Sequence, residues 1–282
     1  MIIPPIATAA VLGGAALHAA WNVGIRGGTD RRASTALLAL AGGLISAVAL
    51  PFLPAPAVAA WPHLAVSAVL HVLYYNLLAE AYSLGAVSLT YPLMRGVAPA
   101  LTAAIAALGF GEHLGIAGWS GLILISCGVC LQARPQGKPG EARALVFALA
   151  NALIVALYTV NDALGARLSH SPVTYALWTF VLPAVPAALV LMRGRLALMF
   201  TGDTLPSLLR RGVGGAICSI AAYAVALWAM TQAPIGAVAA LRETAMLFGV
   251  IFAWWFLAER PGRDRLLALA MIAIGAAILD LA

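Results

Sequence analysis

Apolar runs long enough to cross a bilayer follow one another along almost the whole of this 282-residue chain. A hydrocarbon core about 30 Å thick needs roughly 20 residues of helix to span it. Inside that core each backbone amide must find its partner within its own segment, which a helix provides. Hydrophobic residues make up 63% of the chain and charged residues only 9%, against about 25% charged in soluble domains. The chain therefore reads as an all-α polytopic membrane protein with no soluble domain.

Turn signals and charges divide the runs into ten predicted transmembrane helices, at 4–26, 34–54, 61–82, 86–109, 115–132, 141–166, 172–192, 210–231, 236–257 and 264–281. The N-terminus MIIPPIATAA lacks a basic n-region, so the first run is expected to stay as a helix. A C-x-x-C at Cys127 and Cys130 has no basic or histidine neighbour and no second pair. It is expected to pack between helices, not to bind a metal or do redox chemistry.

The sequence also repeats itself. LMRGVAPALTAAIAALGFGEHLG (93–115) lies over ALRETAMLFGVIFAWWFLAERPG (240–262), with Arg95 on Arg242 and Glu112 on Glu259. Tyr75 falls on Tyr223, and His18-x-x-Trp21-Asn22 on Tyr158-x-x-Asn161-Asp162, in the same order along the chain. Residues 1–133 thus read as one five-helix repeat, 134–140 as a connecting loop and 141–282 as a second repeat. Five is odd, so the second copy enters the membrane from the other side. The expected architecture is two inverted repeats around a central cavity, as in many secondary transporters.

These segments resemble the EamA-type transporters of the drug/metabolite transporter superfamily. The resemblance lies in HAAWNVGIRGGTD, AYSLGAVSLTYPLMRGVAP, YTVNDALGAR, LRETAMLFG and the two helix-ending glutamates, and it covers nearly the whole chain in order. It implies transport of a small metabolite without a cofactor. One departure is Met246, where many relatives have a proline matching Pro99, so a kink is expected in the first half only.

Charges inside a membrane helix cost about 2.5–3.5 kcal/mol each on insertion scales and usually face a cavity or a partner. In AALRETAMLFGVIFAWWF (239–256), Arg242 and Glu243 stand side by side near the start of the ninth helix. The other ionised candidates inside helices are Arg95 and Asp162, with His18 and His71 as switchable groups. His18, Trp21 and Asn22 share a face, as do Tyr158, Asn161 and Asp162. His71 and Tyr75 share another, with Tyr74 beside it, and Tyr91 is one turn from Arg95. These faces can converge only if helices 1, 3, 4, 6, 8 and 9 line one cavity. Arg95 and Arg242 would then bind a carboxylate or other anion. Tyr75, Tyr91, Tyr158, Tyr223 and Trp21 would wall the site, and Asp162 and Glu243 would balance the arginines or hold a proton or a substrate ammonium. Internal bridges remain open beside this: Arg242 to Asp162, or Glu243 to Arg95. Glu112 and Glu259 are expected to close the start of the next helix.

The best-supported function is a secondary transporter exporting amino acids or related carboxylated metabolites by alternating access. Uptake of an organic anion and transport of an organic cation are the alternatives, the latter favoured if the arginines are internally paired. A membrane enzyme would want a motif such as D-x-x-D, H-x-x-x-D or H-E-x-x-H, and the sequence has none. No metal site is expected. The partners expected are a small-molecule substrate, protons as a candidate co-substrate and the lipid bilayer. No nucleic acid is expected, because the basic residues sit mostly in short connections. A monomer in the inner membrane is the default.

Thirteen of the sixteen Lys and Arg residues fall in the odd-numbered connections and only Arg167 in an even-numbered one. The positive-inside rule then places both termini outside the cytoplasm. A reporter that works only in the cytoplasm should stay dark when fused after Ala282. Bright signal there would mean a reversed orientation or a miscounted helix.

Overall fold

The computed structural model describes residues 3–25, 31–133, 135, 137, 139–193, 205–257 and 262–281, without the side chains of 21–34, 205–211, 253, 256 and 257. Its described secondary structure is helical, with no strand. The helices are α1 (Pro5–Ile25), α2 (Arg31–Ala49), α3 (Trp61–Leu84), α4 (Val87–Phe110), α5 (Ile116–Cys130), α6 (Glu141–Leu168), α7 (Pro172–Leu191), α8 (Leu205–Gln232), α9 (Ile235–Leu241), α10 (Ala245–Leu257) and α11 (Arg263–Leu281). A 3-10 turn, Arg242–Thr244, joins α9 to α10, so the eleven segments form ten rods.

Among the described residues, seven helices are long and apolar enough to cross a membrane: those at Thr35–Phe52, Val58–Leu84, Val87–Phe110, Glu141–Leu168, Pro172–Leu191, Gly212–Gln232 and Ile235–Phe252. Pro5–Ala20 and Ile116–Cys130 are apolar but shorter. Large apolar side chains stand on the outer surface, among them Leu108, Ile116 and Trp255, as a lipid-facing surface requires.

Local chemistry explains where the rods stop. Gly111 closes α4 in the left-handed region, at φ 66°, and its N–H reaches the Ala106 carbonyl. Pro172 opens α7, where its missing N–H would have had no partner in any case. The α-helix of α4 continues through Pro92 and Pro99. A second irregularity lies in the second half, at Arg242–Thr244, where the backbone tightens to i→i+3 bonds. Thr244 supports it, its hydroxyl donating to the Leu241 carbonyl at 2.7 Å.

Packing pairs the halves. α2 lies along α7 and α5 along α11, while α3 packs on α6 and α1 on α8. α4 also packs on α6, and α1 packs on α10. The α5–α11 contact is close because it lacks side chains. A Cβ added at Gly121 would sit 2.7 Å from the Gly275 carbonyl, and one at Gly128 would sit 2.9 Å from the Ala268 carbonyl. Cys130 also packs, with its sulfur where a Cβ at Gly96 would be.

The connections gather at two ends. The Ala57 N–H donates to the Ser169 carbonyl, tying the 2–3 connection to the end of α6. At the other end, Leu131, Ala133, Pro135, Asp264 and Leu267 line an open pocket between the end of α5 and the start of α11.

Replacing Gly128 by leucine should overpack the α5–α11 seam and cost about 1–3 kcal/mol. The check is a lowered unfolding temperature of the purified protein, with Gly109→Leu as control, since nothing lies within 4 Å of a Cβ there.

Candidate functional site

The charged residues of the membrane interior meet where α4, α6, α8 and the α9–α10 turn come together. Arg95, one turn after Tyr91 on α4, makes a forked bond to Glu243. Its Nε donates to Oε2 at 3.0 Å, and its Nη2 lies 2.9 Å from Oε1. Only 5% of the Glu243 side chain and 17% of the Arg95 side chain are exposed. The fork fixes both oxygens of the carboxylate, a geometry that Arg supports and Lys does not. Of the two internal bridges the sequence allowed, this one is present.

Arg242 takes another course. Its guanidinium carbon lies 5.4 Å from the centre of the Tyr223 ring, a cation–π contact. The phenol of Tyr223 donates to Asp162 Oδ2 at 2.6 Å. Asp162 is fully buried, and its Oδ1 accepts from Tyr175 at 3.2 Å and from the Asn161 amide at 3.1 Å. Asn161 is held in turn by His63, whose Nδ1 donates to its amide oxygen at 3.0 Å and whose carbonyl accepts from it at 2.9 Å. The second candidate bridge, Arg242 to Asp162, is therefore not direct among the described contacts. Tyr223 stands between the two charges.

The aromatic residues form a wall along α3 and α6. His71 stacks on Tyr158 with centroids 4.4 Å apart and meets Tyr223 edge-on. Its Nδ1 donates to the Ser67 carbonyl of its own helix at 2.9 Å, not across a helix contact. Tyr74 meets both Tyr75 and Tyr158 edge-on. Tyr75 points partly elsewhere, packing on the small cluster of Ala36, Ala79, Leu191 and Met192. Tyr91 is half-buried beside the centre. Trp21 lies in α1 and Asn22 one residue on, but their side chains are outside the described residues.

A small cavity remains at the centre, with room for about 10 Å³, near the volume one water occupies. Val11, Gly14, Ala15 and His18 of α1 line it, with Arg95, Ala222, Ala226 and Arg242. Its polar lining is thus two guanidiniums and an imidazole. The carboxylates stand one layer back, Glu243 behind Arg95 and Asp162 behind Tyr223.

Two residues of this centre escaped the sequence reading. Tyr175 lies in the apolar run of α7, and His63 sits near the start of α3, two turns before His71. Gly165 makes room for Tyr175, since a Cβ there would collide with the ring. That fit shows only in three dimensions.

Glu112 corrects another expectation. It does not close the start of the next helix, α5. Its Oε2 accepts from the Ile235 N–H at 2.7 Å, capping α9 in the other half. Its Oε1 accepts from Arg167 at 2.7 Å. Arg167 also donates to the carbonyls of Met230 and Ala233. One knot thus ties the 4–5, 6–7 and 8–9 connections together. Glu259 lies outside the described residues.

A bundle of apolar helices with two arginines and two carboxylates at its centre belongs to the class of multi-pass membrane proteins built around a polar core. Residues 142–280 match the model of the EamA-like transporter family. The second half of the chain thus carries the domain of that family, part of the drug/metabolite transporter superfamily. A solved crystal structure of a protein superposes on 98% of this chain and 98% of its own, with a TM-score of 0.73 and 18% identity, a likeness of fold alone. No curated protein matches.

Truncating Arg95 to alanine should leave the Glu243 charge buried without a partner and cost about 3–5 kcal/mol. Arg95→Met combined with Glu243→Met should recover most of that. A double mutant no more stable than Arg95→Ala in thermal unfolding would show that the pair is not the source of the loss.

Proposed function

We propose that the protein is a secondary transporter that moves a small carboxylated metabolite, amino acids foremost, out of the cell across the inner membrane. The observation that carries this reading is the cavity lining. Arg95, Arg242 and His18 face it, and no carboxylate is among its described lining residues. Such a surface suits an anionic group and disfavours a simple cation. Asp162, which an organic cation would need, does not line the cavity, and its oxygens are occupied by Tyr175, Tyr223 and Asn161.

Transport by alternating access around this centre rests on an inverted repeat, which the packing supports. The repeat offset of 147 between Arg95 and Arg242 sets Gly121 on Ala268 and Gly128 on Gly275. In the structure Gly121 meets Gly275, and Gly128 meets Ala268. Each contact is the other with the halves exchanged, as an internal twofold requires. The pairs α1–α8 and α3–α6 exchange in the same way. With this symmetry inside one chain, a monomer suffices. The Lys and Arg bias favours both termini outside the cytoplasm.

Purified protein screened by thermal shift against amino acids, dicarboxylates and quaternary amines should be stabilised by carboxylated compounds. Arg242→Ala should abolish that stabilisation and cut uptake of the same compounds into inside-out vesicles by about tenfold or more. Stabilisation by quaternary amines that survives Arg242→Ala would overturn the anion site.

A further inference from the structure

The two ends of the bundle share one sequence plan and are packed differently. At the end that carries the 2–3, 4–5, 6–7 and 8–9 connections, each connection is tied. The Ala57 N–H donates to the Ser169 carbonyl. Glu112, just beyond α4, accepts from the Ile235 N–H and from Arg167. Arg167 also donates to the carbonyls of Met230 and Ala233 at the end of α8. One carboxylate and one guanidinium thus hold the ends of α4, α6 and α8 and the start of α9. Beneath this knot α9 lies against the backbone of α4, where a Cβ at Gly236 would sit 2.7 Å from the Ala103 Cα. Every residue of α9, Ile235–Leu241, is buried.

Exchange of the two repeats calls for a matching contact at the other end, between α10 and the start of α4. Among the described residues that contact is not made. α4 packs along α9 and α5, whereas α10 packs on α1, touches α11 only lightly and makes no comparable contact with α4. Thr102 and Ala103 of α4 are 1% and 2% exposed. Their counterparts at the offset of 147 are Gly249 and Val250 of α10. A Cβ at Gly249 would have nothing within 4 Å, and Val250 is only half-buried. The ninth rod is therefore pinned before its 3-10 turn and stands off the bundle beyond it.

Resting on the alternating-access reading above, we propose that the knot of Glu112, Arg167 and the Ile235 N–H is the latch of one gate. It holds the end with the even-numbered connections shut in this conformation, and it opens once in each transport cycle. Two features suit a latch better than a fixed brace. Arg167 is the one Lys or Arg that the sequence places in an even-numbered connection, against the bias that fills the odd-numbered ones, so its charge serves the knot and not orientation. The pair is also partly open to water, with 34% of the Arg167 side chain and 14% of the Glu112 side chain exposed. Water can take over both groups when they part, which it cannot do for the buried couple of Arg95 and Glu243.

The experiment has two arms, both on the full chain with Cys127, Cys130 and Cys218 replaced by alanine. The first needs no substrate. Ala237→Cys on α9, 3% exposed as alanine, reports the gate through its rate of labelling by a membrane-impermeant maleimide. Glu112→Gln should raise that rate by about tenfold in vesicles that expose the even-numbered connections, and not in vesicles of the opposite orientation. Where Glu112→Gln folds poorly, Arg167→Lys, which keeps the charge and loses the fork to the carbonyls, should do the same. The second arm oxidises Glu112→Cys with Ile235→Cys. The cross-linked chain should lose vesicle transport of carboxylated compounds by about tenfold or more and regain it on reduction. Unchanged labelling in both variants, or equal transport by the cross-linked and reduced chains, would overturn the latch and make the knot a static brace. Raised labelling with no transport of any carboxylated compound by the wild type would uphold the gate and overturn the transport reading instead.

Discussion

The centre of the molecule is organised by the forked ion pair between Arg95 and Glu243. Charges in a bilayer interior must be cancelled nearby or not be there at all. Here cancellation occurs in two couples of different character. Arg95 and Glu243 touch directly. Arg242 and Asp162 are separated by Tyr223, which offers its ring face to the cation and its hydroxyl to the anion. The direct couple joins α4 to the turn between α9 and α10. The mediated couple joins that turn to α6 through α8. Two charge balances therefore fix how three rods approach the same turn.

Around this polar centre the packing depends on the absence of side chains. Gly121, Gly128 and Gly275 let α5 and α11 meet backbone to backbone. In membranes lipid competes equally for apolar surface, so close backbone approach and polar links hold helices together. The knot of Glu112, Arg167 and the Ile235 N–H is such a link at one end of the bundle. It satisfies the start of α9, where an unpaired N–H would otherwise sit in a poorly solvated place. A partly exposed ion pair by itself is worth little. The value of Glu112 lies in the N–H it caps.

Much of this could be read from the residues. Runs of apolar sequence locate the rods, because the bilayer punishes any other backbone state. Charges inside such runs are so rare that Arg95, Asp162, Arg242 and Glu243 stand out, and few pairings are open to four groups. The tyrosines were visible for the same reason. Tyr175 and His63 were not, since one aromatic among several in an apolar run and a histidine near a helix start carry no distinguishing pattern. The partner of Glu112 was hidden too. Its capping target lies 123 residues away in sequence, whereas short-range rules look to the next helix. Pro99 removes one N–H from α4, and the helix continues across it. The 3-10 break in the ninth rod was hidden, because it lies at a place without proline, where that rod's charged groups cluster.

That break explains how adjacent residues serve different helices. On an α-helix Arg242 and Glu243 would diverge by about 100°. On a 3-10 turn, with three residues per turn, the divergence is about 120°. The tightening swings Glu243 toward Arg95 on α4 while Arg242 lies over Tyr223 on α8. The same turn carries both signs of charge without pairing them to each other, so each remains available to a group from elsewhere. The irregular turn, held by the Thr244 hydroxyl on the Leu241 carbonyl, lets one rod face two neighbours, with the cavity between them.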